Sequence, residues 1–492
     1  MDVSVEQRYS EQTSGRSDMK LSEIQKFFVG QTIFVTGGTG FLGKLVIEKL
    51  LRDCNDLKKI YILVRTKKGK RESERFQEIF NAQCFSPLKE KYPNFLEKVA
   101  LINGDLTKPD IGLSEESKQI ITTEVTTIFH VAATVRFDEH LRLAAYINVR
   151  SVKDLLRMAK TMPQLKAIVH VSTAYSHCTR NEIKEEFYPP PITAENLLNV
   201  VDSLDDETIT KITPILLKEW PNGYVFTKAV AESVIEDEGK DLPIGIVRPA
   251  IVTSSVKEPT MPAEPTYNAE LVPVDFVINT AIAASWHVAK KKSEEGKSTV
   301  NIFNYVLSSW LILTWGKFFE ICSTMKDAYP VSQAVWHFCF KLRPNPIMHE
   351  LAIFFLHTIP AYIIDLVLIC IGRKAIAVKG YKKVRKFLDV IAYFAKRNWD
   401  FGSQNTKNLL ASMTPEDREI FGFEMGNEGL ETYMANAMLG GRTYLLQDPP
   451  STIPAARKKV FRLKIAHYIL CTFLLYLLLK TLLFVFSFVY NL

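Results

Sequence analysis

The sequence predicts an α/β protein with a doubly wound parallel sheet, followed by a helical region and a C-terminal transmembrane helix. Short apolar runs typical of buried strands alternate with amphipathic stretches such as 141–160, which indicates parallel strands joined by helices on both faces of the sheet. A glycine-rich turn follows the first run, and a long apolar stretch ends the chain. The strand-like runs are 32–35, 59–64, 99–103, 127–132, 167–172, 244–248 and 300–304.

Composition limits the class of protein. The 492 residues, 47% of them hydrophobic and 23% charged, suffice for two or three domains with real cores. The net charge of +7 comes without a zinc-ligand spacing, a basic recognition helix or an aromatic RNA-binding motif, so we expect no nucleic-acid partner and no metal site. Seven cysteines without a CxxC pair fit free thiols in a reducing compartment. The polar first residues predict a disordered lead-in over 1–24.

The glycine turn predicts a dinucleotide site. Residues 36–43 read TGGTGFLG between an apolar run and the start of an amphipathic helix, which is the context of a Rossmann-type turn. Its glycines suit a tight turn, close approach to a pyrophosphate and close helix packing, with the helix N-terminus directed at the phosphates. A turn that serves packing alone is the alternative. The predicted cofactor-binding residues here are Thr36, Gly37, Gly38, Thr39, Gly40, Phe41, Leu42 and Gly43.

The end of the second strand-like run indicates which dinucleotide binds. NAD-binding proteins place an Asp or Glu there, on the ribose hydroxyls. This chain has Arg65, followed by Lys67 and Lys68. A guanidinium pairs with a 2′-phosphate that a carboxylate would repel, so the sequence favours NADPH, with Arg65 and Lys67 as cofactor-binding residues. An ordinary solvated basic turn is the alternative.

Tyr224 and Lys228 are the predicted catalytic pair. They lie one helical turn apart, where the cation would favour the phenolate and lower the pKa of the tyrosine, so that Tyr224 can protonate a developing alkoxide. Position singles out this pair, because only Tyr224 lies on a helix between two sheet strands of the nucleotide domain. Thr173 or Ser172, at a strand end, would bond the substrate oxygen unless it only caps the strand. Pairs with the same or similar spacing are 61/65, 146/150, 381/385, 393/397 and 476/480.

Several motifs together resemble those of the extended short-chain dehydrogenases/reductases. They are the glycine turn, NGDL at 103–106, HVAA at 130–133, VSTAY at 171–175 and the Tyr224/Lys228 pair. Within that group, FHVAATVRFDE at 129–139, VRPAIVTSSVKEP at 247–259 and YNAELVPVD at 267–275 are similar to the alcohol-forming fatty acyl-CoA reductases. The resemblance implies reduction of long-chain or very-long-chain fatty acyl-CoA by NADPH to a primary alcohol and CoA, through a bound aldehyde.

The resemblance also implies further site residues and a domain plan. An NADPH-binding reductase domain with a substrate lobe is expected over 25–345, and a helical C-terminal region over 346–452. The implied cofactor contacts are Asp105 and Leu106 beside the adenine, Ala132, Ala133 and Thr134 on the ribose and phosphate side, and Pro249, Ala250 and Ile251 beside the nicotinamide, with Lys228 holding the ribose.

The chain departs from the family on the substrate side. After Pro259, relatives carry a Pro-Gly-Trp and Gly-Pro stretch, whereas this chain passes through 260–265 directly to Tyr267. We therefore expect an open substrate loop and low turnover with near-normal NADPH affinity. Two alternatives follow: a membrane-bound NADPH-binding protein with little turnover, or a sterol-type or nucleotide-sugar dehydrogenase of the same fold.

The last segment predicts a membrane anchor. Residues 465–490 contain sixteen Leu, Ile, Phe or Val residues, which outweigh the cost of Lys480. A cluster of five Lys or Arg residues over 457–464 precedes the span, so the positive-inside rule keeps the catalytic part cytosolic. Endoplasmic reticulum and peroxisome are the expected membranes, with membrane lipid and fatty acyl-CoA as partners. A buried terminal helix is the alternative.

A second apolar stretch, 347–371, is interrupted by His349, Glu350, His357, Pro360 and Asp365. A clean span would bury several costly groups. We predict a pair of helices that lie on the membrane or line an acyl entrance, with a true span or a soluble core as alternatives. The basic run 373–385 could rest on anionic headgroups or form a solvated face.

Overall fold

The computed structural model describes residues 20–65, 72–253, 264–334, 337, 346–426 and 429–490. Its strands are short and mostly buried, in keeping with parallel strands covered on both faces. They are β1 (Thr32–Thr36), β2 (Lys59–Val64), β3 (Val99–Asn103), β4 (Thr127–His130), β5 (Ala167–Val171), β6 (Glu182–Ile183), β7 (Ile244–Pro249), β8 (Ile251–Thr253), β9 (Leu271–Pro273), β10 (Val300–Tyr305) and β11 (Asp400–Phe401).

The helices fall into a set that covers the sheet and a C-terminal set. The first set is α1 (Glu23–Phe28), α2 (Phe41–Asp53), α3 (Glu72–Phe80), α4 (Ser86–Lys91), α5 (Glu115–Glu124), α6 (Leu141–Ala145), α7 (Ser151–Ala159), α8 (Ala194–Ser203), α9 (Asp206–Leu217), α10 (Gly223–Glu238), α11 (Val274–Glu295) and α12 (Trp315–Ala328). The second set is α13 (Pro346–Ile353), α14 (Ile359–Cys370), α15 (Ala377–Ala395), α16 (Gln404–Ala411), α17 (Pro415–Phe421), α18 (Gly429–Gly440) and α19 (Ile453–Tyr490).

Seven strands form one parallel sheet in the order β10-β7-β5-β4-β1-β2-β3. The chain moves outward from β1 to β2 and β3, then returns to pair β4 with the other side of β1. In such a sheet, ligands bind in the crevice at the carboxyl ends of the strands, where the strand order reverses. The predicted doubly wound sheet is confirmed, and β1 and β4 border its crevice.

Apolar side chains alternate between the two faces of the sheet and form two cores. On β1, Ile33 and Val35 lie in the core shared with α2 and α11, whereas Phe34 lies in the core shared with α7 and α10. The period of two along a strand explains this division. Because helices cover both faces of the sheet, the carboxyl ends of its strands are the expected place for a ligand.

Strand boundaries differ slightly from the sequence prediction. Two predicted runs, 127–132 and 167–172, end two residues and one residue earlier, at His130 and Val171. The chain turns there: the Ala132 N–H donates back to Thr36 Oγ1 (3.4 Å), and the Ser172 N–H donates to the Val247 carbonyl (2.8 Å). The residues beyond each strand end thus form the loops of the crevice.

The C-terminal region packs back on the sheet domain. Strand β11 pairs with β6, and the Tyr305 hydroxyl at the end of β10 donates to the Phe423 carbonyl (2.8 Å). Asp417, which is fully buried, accepts a hydrogen bond from the Ile24 N–H (2.9 Å). These bonds join residues that are between 118 and 393 positions apart, so this region is docked on the sheet domain.

Within the described residues, one helical stretch is long and apolar enough to cross a bilayer. It covers Pro450–Phe484, with a mean hydropathy of 1.8 in its most apolar window and none of that window buried. At 1.5 Å per residue, the 35 residues extend about 50 Å, more than the ~30 Å hydrocarbon core. The described side chains of that apolar window therefore face outward.

Candidate active site

The glycine turn forms a cradle that no larger residue could form. Gly37 has a φ of +76°, and a Cβ there would lie 2.7 Å from the Ala132 backbone. A Cβ on Gly43 would lie 2.2 Å from the Gly37 carbonyl oxygen. Gly40 starts α2 with no side-chain cap, which leaves the first amides of the helix for an anionic ligand. These observations fit a dinucleotide pyrophosphate.

A cavity of about 780 Å³ opens at the carboxyl ends of the strands. It extends from the glycine turn to Tyr224 and on to α15. Most of the predicted site residues line it. They are Gly37, Thr39, Gly40, Phe41, Leu42, Gly43, Arg65, Asp105, Leu106, Ala132, Ala133, Ser172, Thr173, Tyr224, Lys228, Pro249, Ala250 and Ile251.

Three predicted cofactor residues do not line the cavity. Thr36 is buried, with its Oγ1 2.8 Å from His130 Nδ1. Gly38 allows close packing instead, because a Cβ there would lie 2.4 Å from the Ile62 side chain. Thr134 donates its N–H to Asn148 Oδ1 (3.0 Å). Thr36, Gly38 and Thr134 thus contact residues around the cavity and do not face it. Lys67, Lys68 and the loop over 254–263 lie outside the described residues.

A second arginine accompanies Arg65 at the cavity wall. Arg75, on α3, also lines the cavity, and its buried Nε has no hydrogen-bond partner among the residues that the structure describes. Its Nη1 lies 3.9 Å from the Glu78 carboxylate. Arg75 was not predicted from the sequence, because ten positions separate it from Arg65 and no motif includes it. A guanidinium whose Nε lacks an acceptor among the described residues, in the same cavity wall as Arg65, is suited to an anionic group.

Tyr224 lies in the first turn of α10, where the helix start is fixed by Asn222. The Asn222 carboxamide oxygen accepts a hydrogen bond from the Val225 N–H (3.0 Å). Burial raises the pKa of Tyr224 to about 12, and a hydrogen bond with Thr173 opposes that rise. The phenol is therefore protonated at neutral pH, beside the hydroxyl of Thr173.

Lys228 lies on the same helix but is directed to the backbone. Its Nζ donates to the Val171 carbonyl (2.7 Å), and the side chain is 1% exposed. Burial lowers the pKa of Lys228 to about 8, and Glu232 acts in the opposite direction. The prediction that this cation lowers the pKa of Tyr224 is wrong in this structure. Burial has the larger effect on the pKa of the phenol, and the Lys228 ammonium donates to the Val171 carbonyl.

The competing tyrosine pairs have other roles. Arg150 and Arg397 lie over the rings of Tyr146 and Tyr393 at 3.6 and 3.9 Å from their centroids. Tyr476 is 57% exposed on α19. None of these three tyrosines lines the cavity. Position in the fold thus separates Tyr224 from residues with equivalent spacing.

The two candidate hydroxyls differ in their surroundings. Ser172 donates its hydroxyl to Glu232 Oε1 (2.5 Å), whereas Thr173 is the residue that bonds Tyr224. Glu232 also accepts hydrogen bonds from Arg248 (2.6 and 2.9 Å) and lies 3.1 Å from His177 Nε2. Burial would raise the pKa of Glu232, but Arg248 and His177 outweigh it and hold that pKa far below its usual range.

This buried network was not predicted from the sequence. Its members are 3% exposed or less, and Glu232 lies one turn beyond Lys228 on α10. Through Ser172 it fixes the end of β5, next to the hydroxyl of Thr173. Only the four-residue step from Lys228 to Glu232 could have suggested it, and that spacing alone is common.

The C-terminal region supplies an apolar wall. Ile391 and Phe394 of α15 line the cavity together with Val135 and Phe137. Phe137 packs edge-on against Tyr224 at 5.9 Å between ring centroids. A polar proton donor thus lies beside an apolar surface, which suits a carbonyl compound with a long hydrocarbon chain.

The sequence matches two family models, both described as "Male sterility protein". The first is an NAD-binding model over residues 35–261, and the second covers residues 356–448. The first match includes the glycine turn and Tyr224. The chain accordingly carries an NAD-binding domain, and most of the residues that line the cavity lie within it.

Curated relatives match over almost the whole chain. Fatty acyl-CoA reductase wat of Drosophila melanogaster is 34% identical, covering 92% of this chain and 91% of the relative. Fatty acyl-CoA reductase 1 of Rattus norvegicus is 35% identical, with 90% of each chain covered. Among solved structures, the terminal reductase domain of the myxalamid biosynthetic pathway is similar at 18% identity and a TM-score of 0.49, covering 83% of this chain and 92% of that one. By its extended identity with these relatives, the chain belongs to the fatty acyl-CoA reductase family.

Proposed function

We propose that this protein reduces long-chain or very-long-chain fatty acyl-CoA to a primary alcohol and CoA, through a bound aldehyde. The observation that carries the proposal is the position of Tyr224 and Thr173 together in the lining of a cavity with an apolar wall. Relatives of 34 to 35% identity are named fatty acyl-CoA reductases. The glycine turn, at the other end of the cavity, would bind the pyrophosphate of the dinucleotide cofactor.

NADPH is the proposed reductant. Arg65 and Arg75 both line the cavity, and within the described part of the chain the buried Nε of Arg75 has no hydrogen-bond partner. A 2′-phosphate would provide acceptors for both guanidinium groups. The ribose hydroxyls of NADH offer no such charge, so the two arginines favour the phosphorylated cofactor.

The cavity residues stabilise charge on the substrate oxygen. Bound NADPH supplies hydride to the thioester carbonyl. Tyr224 and Thr173 donate hydrogen bonds to the oxygen on which negative charge develops, and Tyr224 supplies the proton. The protonated Lys228 holds the carbonyl end of β5 and adds positive charge to this part of the site.

The reaction needs two rounds of reduction. As the C–S bond breaks, the Tyr224 phenolate takes the hydroxyl proton back and the CoA thiolate leaves, which gives an aldehyde whose carbonyl oxygen takes the same position between Tyr224 and Thr173. Tyr224 would donate its proton again in the second round, in which a second bound NADPH would supply the hydride that gives the primary alcohol. The apolar wall formed by Ile391, Phe394 and Val135 would retain the aldehyde between rounds by covering its alkyl chain.

A stoichiometric assay tests this function. Purified full-length protein is incubated with acyl-labelled fatty acyl-CoA and NADPH, and alcohol, free thiol and NADPH consumption are measured. We expect one alcohol, one CoA and two oxidised NADPH per turnover, and no alcohol with Tyr224→Phe. NADPH binding without product would favour a protein with little turnover, and NAD-dependent oxidation of a sterol or nucleotide sugar would favour the dehydrogenase alternative.

Helix α19 is the proposed membrane anchor, with the catalytic region in the cytosol. Its exposed apolar residues follow a basic start that includes Arg457, Lys458 and Arg462. Cytosolic basic residues and a following apolar span fit the positive-inside rule. Endoplasmic reticulum or peroxisome is the proposed location. Fluorescence microscopy of a tagged full-length chain, with selective permeabilisation, would test both the organelle and the side of the membrane.

A further inference from the structure

Helices α13 and α14 form one continuous apolar rod, joined through a π-helical turn at Phe354–Thr358. Many of its large side chains are exposed, among them Ile363 (56%), Leu366 (62%) and Ile369 (60%). Buried positions such as Ala361 and Asp365 lie one turn apart on the side that packs against α15. The rod therefore has one covered face and one exposed apolar face. The exposed residues are Leu351, Phe354, Phe355, Tyr362, Ile363, Ile364, Leu366, Val367, Ile369 and Ile371.

Both carboxylates of the rod, those of Glu350 and Asp365, interact with α15 or its N-terminal end. The Asp365 carboxylate accepts hydrogen bonds from the N–H groups of Ile376, Ala377 and Val378 (2.8 to 3.0 Å), which caps the start of α15. Glu350 pairs with Arg385 of α15 at 2.9 Å. These interactions fix rod and α15 as a helical hairpin. They also engage both carboxylates of the rod with groups of α15, and Asp365 is buried.

Basic side chains border the exposed face. Residues 346–395 contain seven Lys or Arg residues against three Asp or Glu residues, and two of the three acids are engaged as just described. Arg373 and Lys374, between α14 and α15, are exposed beside Ile371, and Lys379, Lys382 and Lys383 are exposed on α15. An apolar face with a basic border is complementary to an anionic lipid surface.

We propose that this hairpin is a second membrane-docking surface, separate from α19, and that it lies in the interface of an anionic phospholipid bilayer without crossing it. The rod would immerse Ile363, Leu366 and Ile369 at the level of the upper acyl chains, while the basic residues contact lipid phosphates. A crossing would draw the Glu350–Arg385 pair and the basic α15 into hydrocarbon, which is costly.

The docking surface connects with the cavity. The same α15 that is capped by Asp365 at its N-terminus contributes Ile391 and Phe394 to the cavity wall near its C-terminus. A bilayer that covers the hairpin thus lies near the N-terminal end of α15, and the C-terminal end of α15 borders the cavity. This arrangement would keep lipophilic substrates and products close to the membrane, although docking itself does not depend on the proposed reaction.

Photolabelling of the intact protein tests the proposal. Full-length protein is reconstituted in vesicles of phosphatidylcholine and phosphatidylserine that contain a phospholipid with a diazirine either near the headgroup or at the acyl terminus. Adducts are mapped by mass spectrometry. We expect headgroup-proximal adducts on 359–371 and adducts from both probes on α19. The exposed Ile215 (73%) and Ile312 (74%), elsewhere on the surface, serve as controls and should carry none.

A paired substitution sharpens the test. Ile363→Glu with Leu366→Glu should reduce adducts on 359–371 at least about tenfold, because two charges oppose immersion, while labelling of α19 stays constant as an internal standard. Ile215→Glu is the matched control and should change neither. Adducts confined to α19, equal labelling of 359–371 by the acyl-terminal probe, or crosslinking of this segment to a second copy in place of lipid would each overturn the proposal. If the double variant fails to fold, the positions of the lipid adducts on the wild-type protein still test the proposal.

Discussion

Removal of Arg75 should weaken NADPH binding selectively. Among the described residues, its Nε has no hydrogen-bond partner, and its ion pair with Glu78, at 3.9 Å, is partly exposed and joins residues three positions apart. Arg75→Ala should therefore change the free energy of unfolding by no more than about 0.5 kcal/mol. A hydrogen bond between two charged groups contributes about 1.5 to 3 kcal/mol, so we expect the Kd for NADPH to rise about 10- to 150-fold.

Titration of both cofactors measures this effect. Binding of NADPH and NADH to wild type, Arg65→Ala and Arg75→Ala is followed by calorimetry at constant ionic strength. The NADH affinity should stay within about twofold of wild type, since NADH lacks the 2′-phosphate. Lys317→Ala is the control for lost surface charge, because Lys317 is exposed on α12 and does not line the cavity.

Two outcomes would refute the reasoning. Equal affinity of the wild type for NADPH and NADH would mean that the arginines do not read a 2′-phosphate. A parallel loss of both cofactors in Arg75→Ala would mean that the side chain supports the shape of the cavity. Thermal unfolding of each variant separates the second outcome from a loss of folded protein.

Three further predictions concern the catalytic phenol, the buried network and the tail. Tyr224→Phe should lower kcat at least about 100-fold with little change in NADPH affinity, whereas Tyr476→Phe should not; equal losses in activity assays would disprove the assignment. Glu232→Gln should reduce the free energy of unfolding in urea by about 3 to 5 kcal/mol near neutral pH, because Arg248 loses its buried partner. Because folding lowers the pKa of Glu232, ionised Glu232 stabilises the native state above its unfolded pKa of about 4.5, and this stabilisation is lost as the pH falls. The difference in free energy of unfolding between wild type and Glu232→Gln should therefore become smaller in acid. A difference that does not change with pH would contradict this. Deletion of 461–492 should release the protein from carbonate-washed membranes with its unfolding transition unchanged, and a deleted chain that still sediments would show that another segment anchors it.

Short-range pattern was enough to predict the architecture. Apolar runs of strand length, separated by helical stretches, predicted the parallel sheet because a buried parallel strand needs a continuous apolar segment. The glycine turn predicted the cofactor end, since the backbone of Gly37 and the space at Gly43 exclude other residues. The tail was recognisable because a bilayer span is a local property of about 20 residues.

The chemistry of the site depended on residues that only folding brings together. Glu232, Arg248 and Ser172 lie far apart in sequence, and their buried bonds exist because folding brings Glu232 of α10 beside Ser172, which follows β5, and beside Arg248 of β7. The direction of Lys228 toward Val171, and hence its failure to lower the pKa of Tyr224, follows from the same packing.

The C-terminal region shows the same division between sequence and tertiary structure. The sequence determined that 347–371 is apolar and interrupted by acids, but it left open whether those acids are buried in a membrane, in a core or in a hairpin. Tertiary structure decided this, because Asp365 and Glu350 find their partners on α15, and α15 in turn carries Ile391 to the cavity. The local pattern of apolar and polar residues determines which residues are buried most favourably. Contacts between distant segments determine the hydrogen-bond partners and the residues that line the cavity.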